Sequence, residues 1–203
     1  EQGYLSPIEY FVEDQSWEEL QVNSTGANFT DESVQAFVEK PTRVQRIVDA
    51  ISYSDTHNKR TLIFCATIAQ ANKVKNLAAE NNISVKMVTG ETPMKDREQI
   101  VNDFKAGKTK HLVNVGVFTT GFDAPELDCI VMARPTMSLA LYYQIIGRGV
   151  RLDPADPNKV LKVYDMVGIV ERLGRVETIR VQKEHGGFRD EVWTEIGRMD
   201  NVE

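Results

Sequence analysis

Short apolar runs rich in β-branched residues alternate with helical stretches through the middle of the chain. The apolar runs have strand length and fall at residues 61–66, 85–89, 111–115, 129–132 and 160–164. Apolar positions three and four apart predict helices at residues 68–80, 93–106 and 139–146, with a further helix from Thr42 to a polar break at residues 54–59. The pattern therefore predicts alternating strands and helices.

Strands this apolar, each followed by a helix, favour a parallel sheet that is covered on both faces, since antiparallel hairpins would show short turns instead. We therefore predict a three-layer α/β/α fold with a mostly parallel central sheet. Ligands of such sheets gather at the carboxyl ends of the strands, so the strand-to-helix loops are where chemistry is expected.

The two ends of the chain carry weaker patterns. Residues 1–40 lack regular periodicity and are interpreted as a connecting arm, and residues 41–167 form the predicted domain. Residues 168–203 are interpreted as an extension that packs on this domain or leads to a further one, with a strand at 176–181 and a helix at 190–197. The 203 residues suffice for one full hydrophobic core with an appendage.

The net charge of −6 is unevenly distributed. Residues 1–40 hold nine acids and one base, whereas residues 41–203 hold 23 bases and 21 acids. The acidic total therefore does not exclude a main body that binds nucleic acid.

Cysteine and histidine positions indicate a reduced, metal-free chain. Cys65 and Cys129 lie inside apolar strand-like runs, which is typical of buried thiols. His57, His111 and His185 lack the spacing of metal ligands. With no leader segment and no apolar run of membrane-spanning length, we expect a cytoplasmic protein and no membrane partner.

The Gly107-Lys108-Thr109 triplet superficially suggests a phosphate loop. That motif needs a glycine five residues earlier, where Asn102 stands, and it follows a strand rather than a helix. Gly107 ends a helical run, so we interpret it as a helix C-cap. No apolar strand ends in an acidic pair that could hold Mg²⁺, so this chain lacks the parts that bind Mg²⁺ and triphosphate.

A second glycine-containing segment, QIIGRGVR at residues 144–151, is a stronger candidate for chemistry. Gln144, Arg148 and Arg151 stand at i, i+4 and i+7, so they share one face if the helix continues. The guanidinium groups of Arg148 and Arg151 would then bind phosphoryl oxygens of a polyphosphate bidentately. A solvated basic helix end, stabilised by the helix dipole, is the alternative from spacing alone.

Taken with the strand-to-loop segment TTGFDAP at residues 119–125, this pattern resembles motifs V and VI in the second RecA-like lobe of superfamily two helicases. TLIFCAT at 61–67 is similar to motif IV, and VTG at 88–90 with Arg97 is similar to the segment after it. The sequences of these motifs, with RPT at 134–136, most resemble those of bacterial RadD-type DNA-repair helicases. Type I and III restriction translocases carry related motif sequences.

The chain also departs from the family pattern. Val115 and Gly116 stand where many relatives have Thr-Asp, and Ile169 and Leu173 stand where polar residues are expected. Side-chain contacts to phosphate are therefore not carried over to these four positions.

The resemblance implies roles at a nucleotide site. Arg148 and Arg151 would be arginine fingers, Gln144 would contact the triphosphate or its attacking water, and Asp123 would hold the ribose beside the Gly121 backbone. ATP and Mg²⁺ would be bound mainly by an N-terminal RecA-like lobe of the same protein, which carries the phosphate loop and acidic box. The chain would thus be the C-terminal lobe of an ATP-dependent helicase, inactive by itself.

Nucleic acid, with DNA favoured over RNA by resemblance, is expected to contact small polar groups at strand ends. Thr67 begins a Thr-x-x-Gln capping box whose helix N-terminus can offer N–H groups to a phosphate, although an ordinary cap has the same sequence. The remaining candidates are Thr89, Gly90, Arg97, Thr119 and Thr120.

Three other function classes fit the sequence less well than a helicase lobe. A catalytically silent RecA-like binding module has no reason to keep both arginines, the glutamine and the aspartate together. A Rossmann enzyme needs GxGxxG after its first strand, where Ala66-Thr67-Ile68 stands instead, and a serine hydrolase needs a GxSxG elbow that the sequence lacks.

Overall fold

Six parallel strands form the central sheet of the computed structural model, which describes residues 5–13, 16–117, 124–183 and 190–199. In chain order they are β1 (Ile8–Val12), β2 (Thr61–Cys65), β3 (Val85–Thr89), β4 (His111–Val115), β5 (Cys129–Ala133) and β6 (Leu161–Asp165). Across the sheet their order is β1-β6-β5-β2-β4-β3. The five strands predicted from apolar runs are confirmed.

Helices cover both faces of the sheet because strand side chains alternate between them. The helices are α1 (Asp31–Val38), α2 (Pro41–Thr56), α3 (Ile68–Glu80), α4 (Met94–Lys105), α5 (Leu139–Gly147) and α6 (Ile169–Leu173). Leu62 and Phe64 of β2 pack in the cluster that includes α1 and α5, whereas Ile63 and Cys65 pack with α2 and α3. The predicted three-layer α/β/α fold is confirmed.

Both cysteines are buried, as predicted, and neither forms a disulfide. Burial raises the pKa of each thiol. Among the described residues, no helix combines the length and apolar character needed to cross a membrane.

The segment interpreted as a connecting arm contributes to the lobe itself. β1 pairs in parallel with β6 at the edge of the sheet, and Trp17, Phe29 and Phe37 join the hydrophobic core. The Trp17 indole N–H donates to the Val167 carbonyl, which fixes the arm against the end of β6. Periodicity did not reveal these elements because they are short and are anchored by isolated aromatic residues.

The C-terminal extension forms a small antiparallel sheet. Within the described residues it contains β7 (Arg180–Lys183), β8 (Asp190–Thr194) and β9 (Gly197–Met199), in the order β7-β8-β9. The helix predicted at 190–197 is therefore wrong, because Val192, Trp193 and Thr194 favour a strand, and the backbone of Val192 and Trp193 pairs with β7 while that of Thr194 pairs with β9.

A tyrosine joins this extension to the lobe. The Tyr10 hydroxyl donates to the Glu177 carboxylate over 2.7 Å and accepts from the Val176 N–H over 3.3 Å. Val176, Ile179 and Val192 pack against the core cluster.

Gly107 ends α4 as the sequence predicts. Its φ is +73°, and the Lys108 and Gly107 N–H groups donate to the carbonyls of Asp103 and Phe104 over 2.9 and 3.0 Å. This is the Schellman arrangement, in which a left-handed glycine lets the chain satisfy the last helical carbonyls.

Substitution of Gly107 by alanine should therefore lower the free energy of unfolding by about 1 to 2 kcal/mol, because an L side chain disfavours this φ. The matched control is Gly90→Ala, whose φ is outside the left-handed region and whose new Cβ would meet nothing within 4 Å. Urea unfolding measures both. Equal stability of the two variants would contradict the assignment of Gly107.

Candidate functional site

Thr67 caps the first turn of α3, as predicted. Its Oγ1 accepts the Gln70 N–H over 2.9 Å. The Gln70 side chain accepts the Ala66 N–H over 2.8 Å and donates to the Ala133 carbonyl over 3.0 Å. Gln70 is fully buried, so it ties the carboxyl end of β2 to that of β5.

A carboxylate that the sequence did not single out lies beside this cap. The Glu39 carboxylate accepts a hydrogen bond from the Thr67 hydroxyl over 3.1 Å and from the Lys73 ammonium over 2.9 Å. The Lys73 contact lowers the pKa of the Glu39 carboxyl. The beginning of α3 therefore already has a negatively charged neighbour.

Thr89, Gly90 and Arg97 are brought together where β3 ends. The Arg97 Nη2 donates to the carbonyls of Thr89 and Thr92, each over 3.3 Å. Thr89 is buried and its hydroxyl accepts the Glu91 N–H over 3.2 Å, whereas Gly90 is exposed. Arg97 thus holds the loop, and Gly90 presents its backbone at the surface.

Four predicted contact residues, Thr119, Thr120, Gly121 and Asp123, lie outside the described residues. The turn before them is described. Gly116 has φ +71°, and the Asn114 side chain accepts the Val117 N–H over 3.0 Å. The departure from the family pattern at Gly116 thus has a local reason, since this φ favours glycine.

The helix that carries Gln144 ends before it reaches Arg151. The Ser138 hydroxyl caps α5 at its start, and the last helical residue is Gly147. Gln144 and Arg148 remain one turn apart, but Arg151 forms an isolated antiparallel bridge with Leu5. The shared face expected if the helix continued to Arg151 is therefore not formed, because the helix does not continue that far.

The segment that follows α5 packs closely against two core side chains. A Cβ on Gly149 would lie 2.5 Å from the Leu161 Cδ1 and 3.1 Å from the Ile130 Cδ1. The Ser6 N–H then donates to the Val150 carbonyl over 2.7 Å. The segment after α5 is thus pressed against the beginnings of β1 and β6.

A buried lysine, which the sequence analysis did not identify, joins two of the candidate segments. Lys159 is 4% exposed, and its ammonium donates to the Pro125 carbonyl and, over 2.9 Å, to the Arg151 carbonyl. Burial lowers the pKa of this ammonium, and the carboxylates of Asp128 and Asp153 oppose the shift. In the sequence, the feature that could have identified Lys159 is its position directly before the apolar run at residues 160–164.

The candidate residues therefore lie at two opposite edges of the sheet. Thr67, Thr89 and Gly90 follow the carboxyl ends of strands. Arg151 lies beside Ser6 and Lys159, which precede β1 and β6, so it is at the amino edge. This differs from the expectation that all chemistry lies at the carboxyl ends, because α5 runs back across the sheet before the arginines begin.

Residues 39–153, more than half of the chain, match the helicase conserved C-terminal domain family. The chain belongs to this family. A Saccharomyces cerevisiae protein named as an ATP-dependent helicase, IRC3, is 43% identical over 94 residues, which are 46% of this chain and 14% of that protein. The Escherichia coli K12 type I restriction enzyme EcoKI endonuclease subunit is 31% identical over 138 residues, covering 62% of this chain and 12% of that subunit.

Solved structures agree with the fold. A fragment of an HsdR subunit of a type I restriction enzyme from Vibrio vulnificus superposes with a TM-score of 0.65 at 19% identity, covering 85% of this chain and 34% of that chain. A variant of Saccharomyces cerevisiae Dbp5 bound to RNA and ADP BeF3 gives 0.51 at 22% identity, covering 61% and 32%. These likenesses show a RecA-like fold of the helicase C-terminal type. The chain spans about a seventh of the length of IRC3, the curated relative described above.

The contact between Gly149 and Leu161 predicts a specific coupling. Gly149→Ala should lower the free energy of unfolding by about 1 to 3 kcal/mol through overpacking. Combined with Leu161→Ala, it should cost less than the sum of the single changes by about 1 kcal/mol, since truncation makes room for the new methyl.

Urea unfolding of the single and double variants measures this coupling. Gly147→Ala is the matched control, because its new Cβ would meet nothing within 4 Å and it lies in the last turn of α5. Additive effects of Gly149→Ala and Leu161→Ala would show that the two residues are not in contact.

Proposed function

We propose that this chain is the C-terminal motor lobe of an ATP-dependent helicase or translocase that acts on DNA. In this proposal Arg148 and Arg151 enter an ATP site whose phosphate loop and acidic box lie on an N-terminal RecA-like lobe of the same protein. The observation that carries it is the Lys159 contact, which holds Arg151 beside Pro125, two residues after the predicted ribose ligand Asp123.

The chemistry required of the amino edge is modest. Guanidiniums remain charged throughout phosphoryl transfer and hold phosphoryl oxygens with a planar fork, so they stabilise charge that develops on the transferred group. Arg148 is half-buried and Arg151 is exposed, and Gln144 is exposed one turn before Arg148. Bound ATP would supply the free energy that closes the two lobes, and Mg²⁺ would neutralise its phosphates.

The carboxyl edge is proposed as the nucleic-acid side. The exposed Gly90 backbone and the Thr67 cap are suited to contacts with a sugar-phosphate backbone that ignore base sequence. Thr119 and Thr120 stay predictions of the resemblance. The sequence resemblance also supports the preference for DNA and the likeness to RadD-type repair helicases. The proposed cytoplasmic location rests on the sequence composition alone.

A second candidate is the translocase lobe of a restriction-type enzyme. The likeness to the Vibrio vulnificus HsdR fragment extends over 85% of this chain, beyond the matched family region. Both candidates use the same two edges. A helicase separates duplex strands whereas a restriction-type translocase does not, so strand displacement on a DNA fork would favour the helicase form of the first candidate over the second candidate.

Arg151→Ala in the intact protein should lower kcat for ATP by about 10³-fold or more, because an arginine finger contributes about 10³ to 10⁵ in rate. The affinity for single-stranded DNA should stay within about twofold, since the other edge binds it. Steady-state ATPase and fluorescence anisotropy measure the two effects. Arg46→Ala is the control, because Arg46 lies on α2 and is paired with Glu13, which follows β1.

ATP turnover that is absent from the intact wild type, or that is indifferent to Arg151 and to every nucleic acid, would contradict the motor function. A silent binding module would then be the better description.

Glu39→Gln should strengthen binding of single-stranded DNA about fivefold at low salt, because it removes a negative charge beside Thr67 and releases the Lys73 ammonium. The slope of log Kd against log salt should steepen, since one more lysine becomes available to phosphates. Glu80→Gln, at the other end of α3, is the control. Unchanged affinity and slope would argue against DNA contact at the beginning of α3.

A further inference from the structure

Lys159 is an ionisable side chain that is almost fully buried. A methionine or leucine could fill the same space without the cost of desolvating a charge. Among the described residues, its ammonium instead donates to two main-chain carbonyls that are far apart in sequence, those of Pro125 and Arg151. Its contacts therefore fix backbone positions.

The main chain at Arg151 is also held from its other side. The Ser6 hydroxyl donates to the same Arg151 carbonyl over 3.3 Å, and Leu5 forms the antiparallel bridge with Arg151. The exposed guanidinium thus extends from a backbone position that is clamped by two segments. Such support is what a transition-state contact needs, because a displacement of about 1 Å can cost about 10²-fold in rate.

We propose that Lys159 is a positioning residue for ATP hydrolysis, which fixes the Arg151 backbone relative to the Pro125 end of the ribose-binding loop. This inference rests on the proposed function. Lys159 acts through main-chain carbonyls and does not itself touch the nucleotide. An N–H donor group is required because an ammonium, which carries three N–H donors, can donate to both carbonyls at once, whereas an apolar side chain of the same length can donate to neither.

Four variants of the intact protein test this role: Lys159→Met, Lys159→Gln, Lys159→Arg and Arg151→Ala. The measured quantities are kcat and KM for ATP with saturating single-stranded DNA, the Kd for that DNA, and the thermal midpoint, with all rates taken well below each midpoint. Lys59→Met is the matched control, because Lys59 pairs with Asp128 in the same region without reaching Arg151.

We expect Lys159→Met to lower kcat by about 10- to 100-fold, with the Kd for DNA within about twofold of wild type. Lys159→Gln, which keeps one donor group, should fall between Met and wild type, and Lys159→Arg should restore at least about half of kcat. A purely structural role would lower the thermal midpoint without this split between kcat and DNA affinity, and without rescue by arginine.

The outcomes separate this inference from the proposed function. If Arg151→Ala is inactive while folded Lys159→Met or Lys159→Gln keeps kcat within about twofold of wild type, Lys159 has no positioning role. The same conclusion holds if Lys59→Met loses as much kcat as Lys159→Met, or if Lys159→Arg is as slow as Lys159→Met. If the wild type lacks ATPase activity, or Arg151→Ala retains it, the proposed function fails first.

Discussion

Burial of the parallel sheet on both faces is the constraint on which the other features of this lobe depend. β2 and β5 are buried at every position, and β4 is buried at four of its five positions. A strand packed between two helical layers has little room for exposed polar side chains along its length. Polar and charged groups that meet ligands are therefore confined to the ends of the strands, and these ends form two separate edges.

α5 is one of the helices that connect those edges. α5 begins after β5 has reached the carboxyl edge, and the chain that follows it packs on Leu161 at the beginning of β6. Tyr142, Ile145 and Ile146 of α5 are buried in the core, so the helix is fixed to the sheet. In the proposed motor function, this rigid helix would carry a change at one edge to the other.

Local pattern predicted the central strands and α3 to α5 because each of them carries its own run or face of apolar residues. Such a run can be recognised without knowing which elements pack against it. It did not predict α1 or the pairing of β1 with β6, because both depend on partners elsewhere in the chain, such as β6 and the single aromatic residue Trp17. It placed a helix on β8, where pairing with β7 decides the conformation. These failures share a cause, since each element depends on contacts with residues outside itself.

The candidate site follows the same division. Motif spacing identified Gln144, Arg148 and Arg151, but α5 ends at Gly147 and Arg151 forms a bridge with Leu5 instead. No periodicity marks Lys159 or Glu39, because one acts through distant carbonyls and the other through the Thr67 hydroxyl. Residue type therefore indicated candidate groups for chemistry, and only tertiary structure shows what holds them.

The separation of the two edges is tested most directly by amide hydrogen exchange of the intact protein with a non-hydrolysable ATP analogue or with single-stranded DNA. We expect the analogue to protect residues 144–152 and 159–161 and DNA to protect residues 66–71 and 89–97. Protection of the same edge by both ligands, or an exchange of the two patterns, would contradict the separation of nucleotide and nucleic acid between the two edges.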